Sequence, residues 1–394
     1  MSDSNRVGLA YLEESSWGVI PSSAMTTLRY TGESLGFSID NAVSDEIRSD
    51  RQVTDLIQTG ASAAGDINFE LSATTYNDFL RAALYSSGWT GVGTGATTTI
   101  TSGATGSNLD FTLASAGNTI TLGSGVTHGI VPGQWIKLTG STSDDGYHKV
   151  TAVATNALTV ESITGDEVLD ETDAATITGS SIINGTTETS FVLEKDFTDI
   201  TKFMYFTGMV PNNMNLNFQA DSIATGSFSF MGKTSDTANA TQGTGAANAA
   251  TTTEVMNTPT NVSQIRENGT AMTSLFVQNL DISLANNLRG ISAIGTLGYA
   301  DMGTGRCEVT GSMSVYLSDM ALYDKFQDAT STSLELTIAD SAGNAYIVSM
   351  DNVEFTDGTV VSSGPNADVT VDLSYQALRD ATYGNTIRID AFTV

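Results

Sequence analysis

The sequence predicts a mainly β protein: two tandem β-sandwich modules, each with one flanking α-helix, plus an inserted small β-barrel or sandwich domain in the first module. Three observations carry that reading. Apolar and polar residues alternate with a period of two in many short stretches, the pattern of strands with one buried and one wet face. A strand-then-helix unit occurs twice. Charged residues are only 15% of the chain, and Gly, Ser, Thr, Ala and Asn fill the gaps between short apolar runs, which suits short strands joined by tight turns.

Taken in order, the first clear strand is Asp66–Leu71, where Ile67, Phe69 and Leu71 alternate with Asp66, Asn68 and Glu70. A helix follows it, with Tyr76, Phe79, Leu80, Ala83 and Leu84 at helical spacing and Thr74 or Thr75 as the expected N-cap. Further strands are expected at Phe191–Lys195, Leu216–Phe218, Phe228–Met231, Ile282–Leu284, Val309–Val315, Leu334–Ile338, Tyr346–Phe355, Val369–Tyr375 and Ile387–Phe392. A second helix is expected over Ser318–Ala329, with Ala321, Leu322 and Phe326 on one face.

A shift of 242 residues superposes the two strand-helix units. It places Asp66 on Glu308, Ile67 on Val309, Leu71 on Met313, Leu80 on Leu322 and Leu84 on Phe326. In the second unit Ser333 follows Phe326 closely, whereas Ser190 lies 106 residues beyond Leu84. The first unit therefore carries an insertion over 88–186. Within it, short strands are expected at Leu109–Leu113, Thr119–Leu122, Gln134–Leu138, His148–Val153 and Leu158–Val160, with turns at Pro132-Gly133 and Asp144-Asp145-Gly146. The expected division is a first module of 1–87 and 187–233, the inserted domain 88–186, a linker or arm 234–260, and a second module 261–394. The insertion is expected to project outward and to be dispensable for the core.

Charge and rare residues narrow the function. Lys and Arg number 16 against 44 Asp and Glu, a formal charge of −28, so the surface repels phosphate backbones and anionic membranes. The single Cys forms no internal disulfide or Cys-rich zinc site. His128 and His148 lack the further ligands of a metal centre. The acidic run Asp166–Asp173 lacks the spacing of a calcium loop and reads as solvated, with calcium binding left open. Gly123-Ser-Gly125 and Gly243-Thr-Gly245 lack the residues of a phosphate cradle, and no Gly-x-Ser-x-Gly elbow occurs. Neither a catalytic residue nor a cofactor is expected. The start of the chain lacks a basic segment leading into an apolar one, and no run approaches the roughly 18 to 20 apolar residues of a membrane span, so a soluble protein made in the cytoplasm is expected.

Four stretches resemble one family. Glu14-Ser-Ser-Trp17-Gly18-Val-Ile-Pro21, Ile47-Arg-Ser-Asp50-Arg51-Gln-Val-Thr-Asp55, Tyr205-Phe-Thr-Gly208-Met209 and Gly226-Ser-Phe-Ser-Phe-Met231-Gly232 are similar to the major tail tube protein of long, non-contractile-tailed bacteriophages. The resemblance covers roughly residues 7–90 and 187–233. It implies β-sandwiches whose inner sheets join into a barrel around a DNA channel, in stacked rings contacted by a long loop. The chain departs from a single tube module, so the implied ring is a trimer with pseudo-sixfold symmetry. The implied partners are further copies and other tail proteins (tape measure, terminator and distal tail), in a virion tail assembled in the host cytoplasm. DNA would pass without specific binding, and no membrane is involved. A secreted adhesin or carbohydrate-binding β protein would share the composition, and a glycosidase is the weaker enzyme alternative.

Two sets of site residues follow. If each helix covers the apolar face of its sheet, the opposite face carries Asp66, Asn68, Glu70, Glu308, Thr310, Ser312, Thr370, Asp372 and Ser374, and these are expected to face the lumen. Residues 41–63 are expected to form the long inter-ring loop, with Asp45, Glu46, Arg48, Asp50, Arg51 and Asp55 mixed in charge and Val53, Leu56 and Ile57 as apolar anchors.

Overall fold

The structure, a computed structural model, describes residues 3–92, 99–101, 111–115, 117–122, 126–163, 171–173, 175–272, 276–362 and 364–393. It is mainly β. The framework strands are β1 (Val7–Glu13), β2 (Gly32–Glu33), β3 (Gly36–Val43), β4 (Leu56–Glu70), β5 (Ser180–Ile183), β6 (Phe191–Phe197), β7 (Lys202–Gln219), β8 (Thr225–Gly232), β9 (Thr234–Ala238) and β10 (Val262–Glu267). They continue with β11 (Val277–Ala285), β12 (Arg289–Ser292), β13 (Tyr299–Gly303), β14 (Glu308–Tyr316), β15 (Thr332–Ala339), β16 (Ala345–Ser362), β17 (Val369–Ala377) and β18 (Arg388–Phe392). Helices α1 (Asn77–Ala83) and α2 (Ala321–Gln327) follow β4 and β14.

One antiparallel sheet runs through both halves of the chain in the order β3–β4–β8–β7–β11–β14–β17–β16, with β2 beside β3 on the β4 edge. We call it the inner sheet. Alternation sets its faces: Ile67, Phe69, Phe228, Met214, Leu216, Ile282, Val309, Met313, Val371 and Leu373 are buried on one side. Helix α1 packs on that side through Phe79, whose ring lies 5.6 Å from Phe228 and 5.5 Å from Phe230.

The long strands β7 and β16 leave the inner sheet at a bulge and continue into outer sheets. The first outer sheet is β1–β6–β7–β9, and the second is β10–β15–β16–β18–β5. The pairing order β1–β6–β7–β8–β4 of the first half returns as β10–β15–β16–β17–β14 in the second.

Several expectations are corrected. Neither Thr74 nor Thr75 caps α1. Tyr76 holds the cap position without a side-chain bond, Thr74 takes a left-handed φ of 65°, and the Thr75 hydroxyl pairs with Ser72 and Thr251 instead. The second helix is shorter than Ser318–Ala329, because the Asp319 carboxylate accepts from the Ala321 N–H and starts it there. The tract 234–260 is no free linker: it opens with β9 on β7, and Val255 bridges to Ser72.

Between residues 99 and 178 lies an eight-stranded sheet rather than five strands. Thr99–Thr101, Glu171–Asp173 and Thr176–Thr178 are the additional strands, each three residues long and so too short to give a periodicity signal. It has a core of its own, including Ile120, Ile136, Leu138, Val150, Leu158 and Ile177. The glycine pair at 123–125, residues 166–170 of the acidic run and 109–110 of the first expected strand lie outside the described residues.

The insertion is also anchored to the second outer sheet. Trp135 is fully buried among Ala345, Ile347 and Phe392, and its indole N–H donates to Ser349 Oγ at 3.0 Å. Lys149 Nζ lies 2.5 Å from Glu335 Oε1 and 2.5 Å from Asp351 Oδ1, while Arg266 reaches Glu335 Oε2 at 3.1 Å and Glu161 at 2.5 Å. Burial works against the Lys149 charge, but the two carboxylates outweigh it and raise its pKa. Strand β5, inside 88–186, pairs with β18. Cutting the insertion away would therefore strip a strand and expose a buried ion network, contrary to the expected dispensability.

Candidate functional site

The wet face of the inner sheet is a continuous polar surface because its strands pair polar residue to polar residue. One cross-strand row runs Asn68, Ser227, Asn215, Ser283, Thr310 and Gln376. The next runs Glu70, Thr225, Asn217, Asp281, Ser312, Ser374 and Asp357. All nine residues expected on this face are on it. Asp66, Asn68, Thr310, Asp372 and Ser374 are exposed, and Glu70, Glu308, Ser312 and Thr370 are half-buried.

The face is wider than those nine residues. Asn215, Asn217, Ser227, Asn279, Asp281, Ser283, Ser314, Asp357 and Thr359 also belong to it. Alternation in Asn213–Gln219 and Asn279–Leu284 carried the signal, but which strands lie side by side is a tertiary fact. Asp281 sits centrally: Asn217 donates to its Oδ1, Asn279 Nδ2 donates to Oδ2 at 2.5 Å and Ser312 Oγ at 3.0 Å. Ser314 Oγ donates to Asp372 Oδ1 at 2.5 Å. These neutral donors hold the carboxylates in place without cancelling their charge. Glu308 differs, since the Arg306 guanidinium bonds its carboxyl and holds it below the ordinary carboxylate range. At the β16 end the face is concave, a 500 Å³ trough lined by Ser312, Ser314, Asp357, Thr359, Asp372 and Ser374.

The two ends of the inner sheet differ from its interior strands. In the first half, β7 is flanked by β8 and, beyond its bulge, by β11. The matching stretch of β16, Asp357–Ser362, pairs with β17 alone, and at the other end β2 and β3 pair only with β4.

The expected inter-ring loop over 41–63 is in fact a β-hairpin. Strands β3 and β4 pair from Gly36↔Ala64 out to Val43↔Leu56, so Leu56 and Ile57 are strand residues and the loop proper is 44–55. The alternation is hidden in the outer part, Ser38–Val43 with Leu56–Thr59, because that part is exposed on both sides and needs no apolar face. Its tip holds Asp45, Glu46, Arg48, Asp50, Arg51, Val53 and Asp55, all exposed except a half-buried Ser44 at its base. Arg48 and Asp50 form an ion pair at 2.9 Å, which lowers the Asp50 pKa.

Chemistry is sparse. Among the described residues no group of three His, Cys, Asp or Glu could hold a metal ion. His148 is buried, bonded from Nε2 to the Asp144 carbonyl at 2.9 Å, and burial lowers its pKa. Cys307 is half-buried and burial raises its pKa to about 11. No described helix is long and apolar enough to cross a membrane.

No curated protein matches the chain. The family model described as phage tail tube protein matches residues 4–377, nearly the whole chain. With a mainly β fold that covers one sheet face and leaves the other polar, the chain belongs to the phage tail tube protein family and is a structural component of the virion tail.

Proposed function

We propose that three copies close into a ring by edge-to-edge pairing of their inner sheets, and that stacked rings form a tube with an acidic channel through which DNA passes during ejection. The observation that carries this is the pair of unmatched edges at the ends of the inner sheet, β16 beyond its bulge at one end and β2–β3 at the other. Within the chain the β7 edge is filled by β11, and the same relation between copies would fill the β16 edge with β2–β3 of the next copy. Eight inner strands per copy give twenty-four in a trimer. Barrels of about 16 to 18 strands already leave an aqueous channel, so this one would be open. Closure also removes the edge that would otherwise template uncontrolled pairing.

The repeated pairing order supports an internal duplication, two tube modules per copy and pseudo-sixfold symmetry. On this reading 1–87 with 187–233 and 261–394 are the modules and 88–186 is an inserted domain. The polar rows line the channel, where Asp66, Glu70, Asp281 and Asp372 repel a passing polyanion and so keep it from sticking. The 44–55 tip reaches the neighbouring ring, and the tube's further partners are other tail proteins, the tape measure, terminator and distal tail proteins among them.

Electron cryomicroscopy of the purified protein tests the proposal. The expected result is a three-chain ring whose twenty-four inner strands form one closed barrel. A protein that stays monomeric, or rings whose inner sheets do not join, would overturn it.

A further inference from the structure

Each half of the chain carries a hairpin at the same place in its pairing order. The first is β3–β4. The second is β12–β13, which interrupts the connection between β11 and β14. Neighbours in the inner sheet are antiparallel, and four steps separate β4 from β14, so these two strands run the same way. Both hairpins therefore leave the same end of the sheet, and the second leans on the base of the first: a Cβ built on Gly298 would stand 3.1 Å from the Ala61 carbonyl oxygen of β4 and 3.4 Å from that of Lys233.

The two tips differ in chemistry. The first is charged. The second, residues 292–298, contains no charged residue and displays Ile294 at 107% and Leu297 at 56% relative exposure, with Ile291 beside them. It is also held firmly: Leu288 and Met302 pack on Tyr85 and Val210, with Tyr299, Trp17 and Met231 around them. Leu288 N–H donates to Asn212 Oδ1 at 2.8 Å. An apolar tip on an anchored stem loses little conformational freedom on binding.

The opposite end of the sheet offers a matching hollow. Val277 begins β11 at the far end from the hairpin, opposite Val315. There Val262, Ile265, Met272, Phe276 and Val277, with Ser263 and Gln264 beside them, line a 310 Å³ cavity, and Val262, Ile265 and Val277 also line an adjoining one of 190 Å³ with Phe218 and Pro259, where Asp221 and Thr258 are the polar lining. Phe276 is 70% exposed at its rim. An apolar knob at one end and an apolar hollow at the other make a head-to-tail contact that repeats without closing, the geometry of a filament.

We propose that the β12–β13 tip, through Ile294 and Leu297, docks into the Val262–Val277 hollow of a second copy in the next ring. The occupant is a second copy because both halves of the contact lie on this chain, at opposite ends of the same strands. The contact rests on the tube reading, and it adds a second, uncharged inter-ring contact that resists salt where the 44–55 tip does not.

The test is a charge exchange between two exposed positions, which leaves the fold intact. Ile294→Lys and Phe276→Glu should each still form rings yet raise the protein concentration needed for tube growth at least about tenfold, the scale of burying a large aliphatic side chain. The double variant should recover growth, now in a salt-sensitive form. Tubes of normal growth from either single variant would overturn the contact while leaving the ring reading standing. Single variants that block growth with no recovery in the double variant would overturn the pairing of this tip with this hollow. A wild-type chain that forms neither rings nor tubes would overturn the tube reading and this contact with it.

Discussion

Tyr375 covers Gly311. The two residues are cross-strand partners between β17 and β14, and a Cβ built on Gly311 would stand 2.4 Å from the tyrosine ring and 2.0 Å from the Asp281 carbonyl oxygen. The tyrosine hydroxyl donates to that carbonyl at 2.7 Å. In the first half the roles are exchanged between the strands: Phe69 on β4 covers Gly226 on β8, where a Cβ would come 2.4 Å from the ring. Glycine is needed at each site for close approach, and the aromatic side chain fills the gap it leaves.

Gly311→Ala should therefore destabilise the fold by about 1 to 3 kcal/mol through overpacking. Chemical denaturation of the ring-free protein measures this, and an unchanged midpoint would show that β11 and Tyr375 can move aside. The matched change Gly226→Ala should cost a similar amount, because the same face-to-ring contact is lost.

The ion network beneath the insertion makes a second prediction. Lys149→Met leaves Glu335 and Asp351 buried with one fewer cation, and removing one partner of such a network costs about 3 to 5 kcal/mol. Hydrogen exchange should show residues 126–163 opening first.

Asp390 sets a pH dependence. It is fully buried in β18, and burial raises its pKa from 3.8 to about 7, with Arg388 acting in the opposite sense and Asp351 adding to the rise. A carboxyl whose folded pKa lies above its unfolded value stabilises the fold fully below about pH 4 and loses that contribution as pH climbs to about 7. Asp390→Asn should thus melt near the wild-type temperature at about pH 4 and above it at about pH 8. An equal offset at both values would place the titration elsewhere in the network.

The channel reading makes a charge prediction. Asp66 and Asp372 are exposed on the polar face and Glu70 is half-buried there, so changing all three to Lys should leave the fold and ring assembly in place. DNA ejection should then slow, most at low ionic strength, since screening at physiological salt acts over about 8 Å. Ejection at the wild-type rate would remove the wall charge from the mechanism.

Much of this was legible in the residues themselves. Alternation such as Ile67 and Phe69 against Asp66 and Asn68 determines a strand, its two faces and which of them meets water, because side chains on a strand point alternately to opposite sides. The 242-residue spacing pointed to two strand-helix units, and the scarcity of His, Cys and Lys pointed away from chemistry. The tertiary structure alone decided which strands are neighbours. Asn215, Ser227 and Ser283 form one row only because β8, β7 and β11 lie side by side, and hydrogen-bond pairing between distant strands leaves no local mark in the chain. The anchoring of the insertion was hidden for a related reason. Nothing local in the sequence marks Lys149 and Glu335 as partners, and their burial together depends on the whole fold bringing them within 2.5 Å. The outer part of the β3–β4 hairpin escaped because strand alternation records burial, and Ser38–Val43 and Leu56–Thr59, with water on both sides, have none to record.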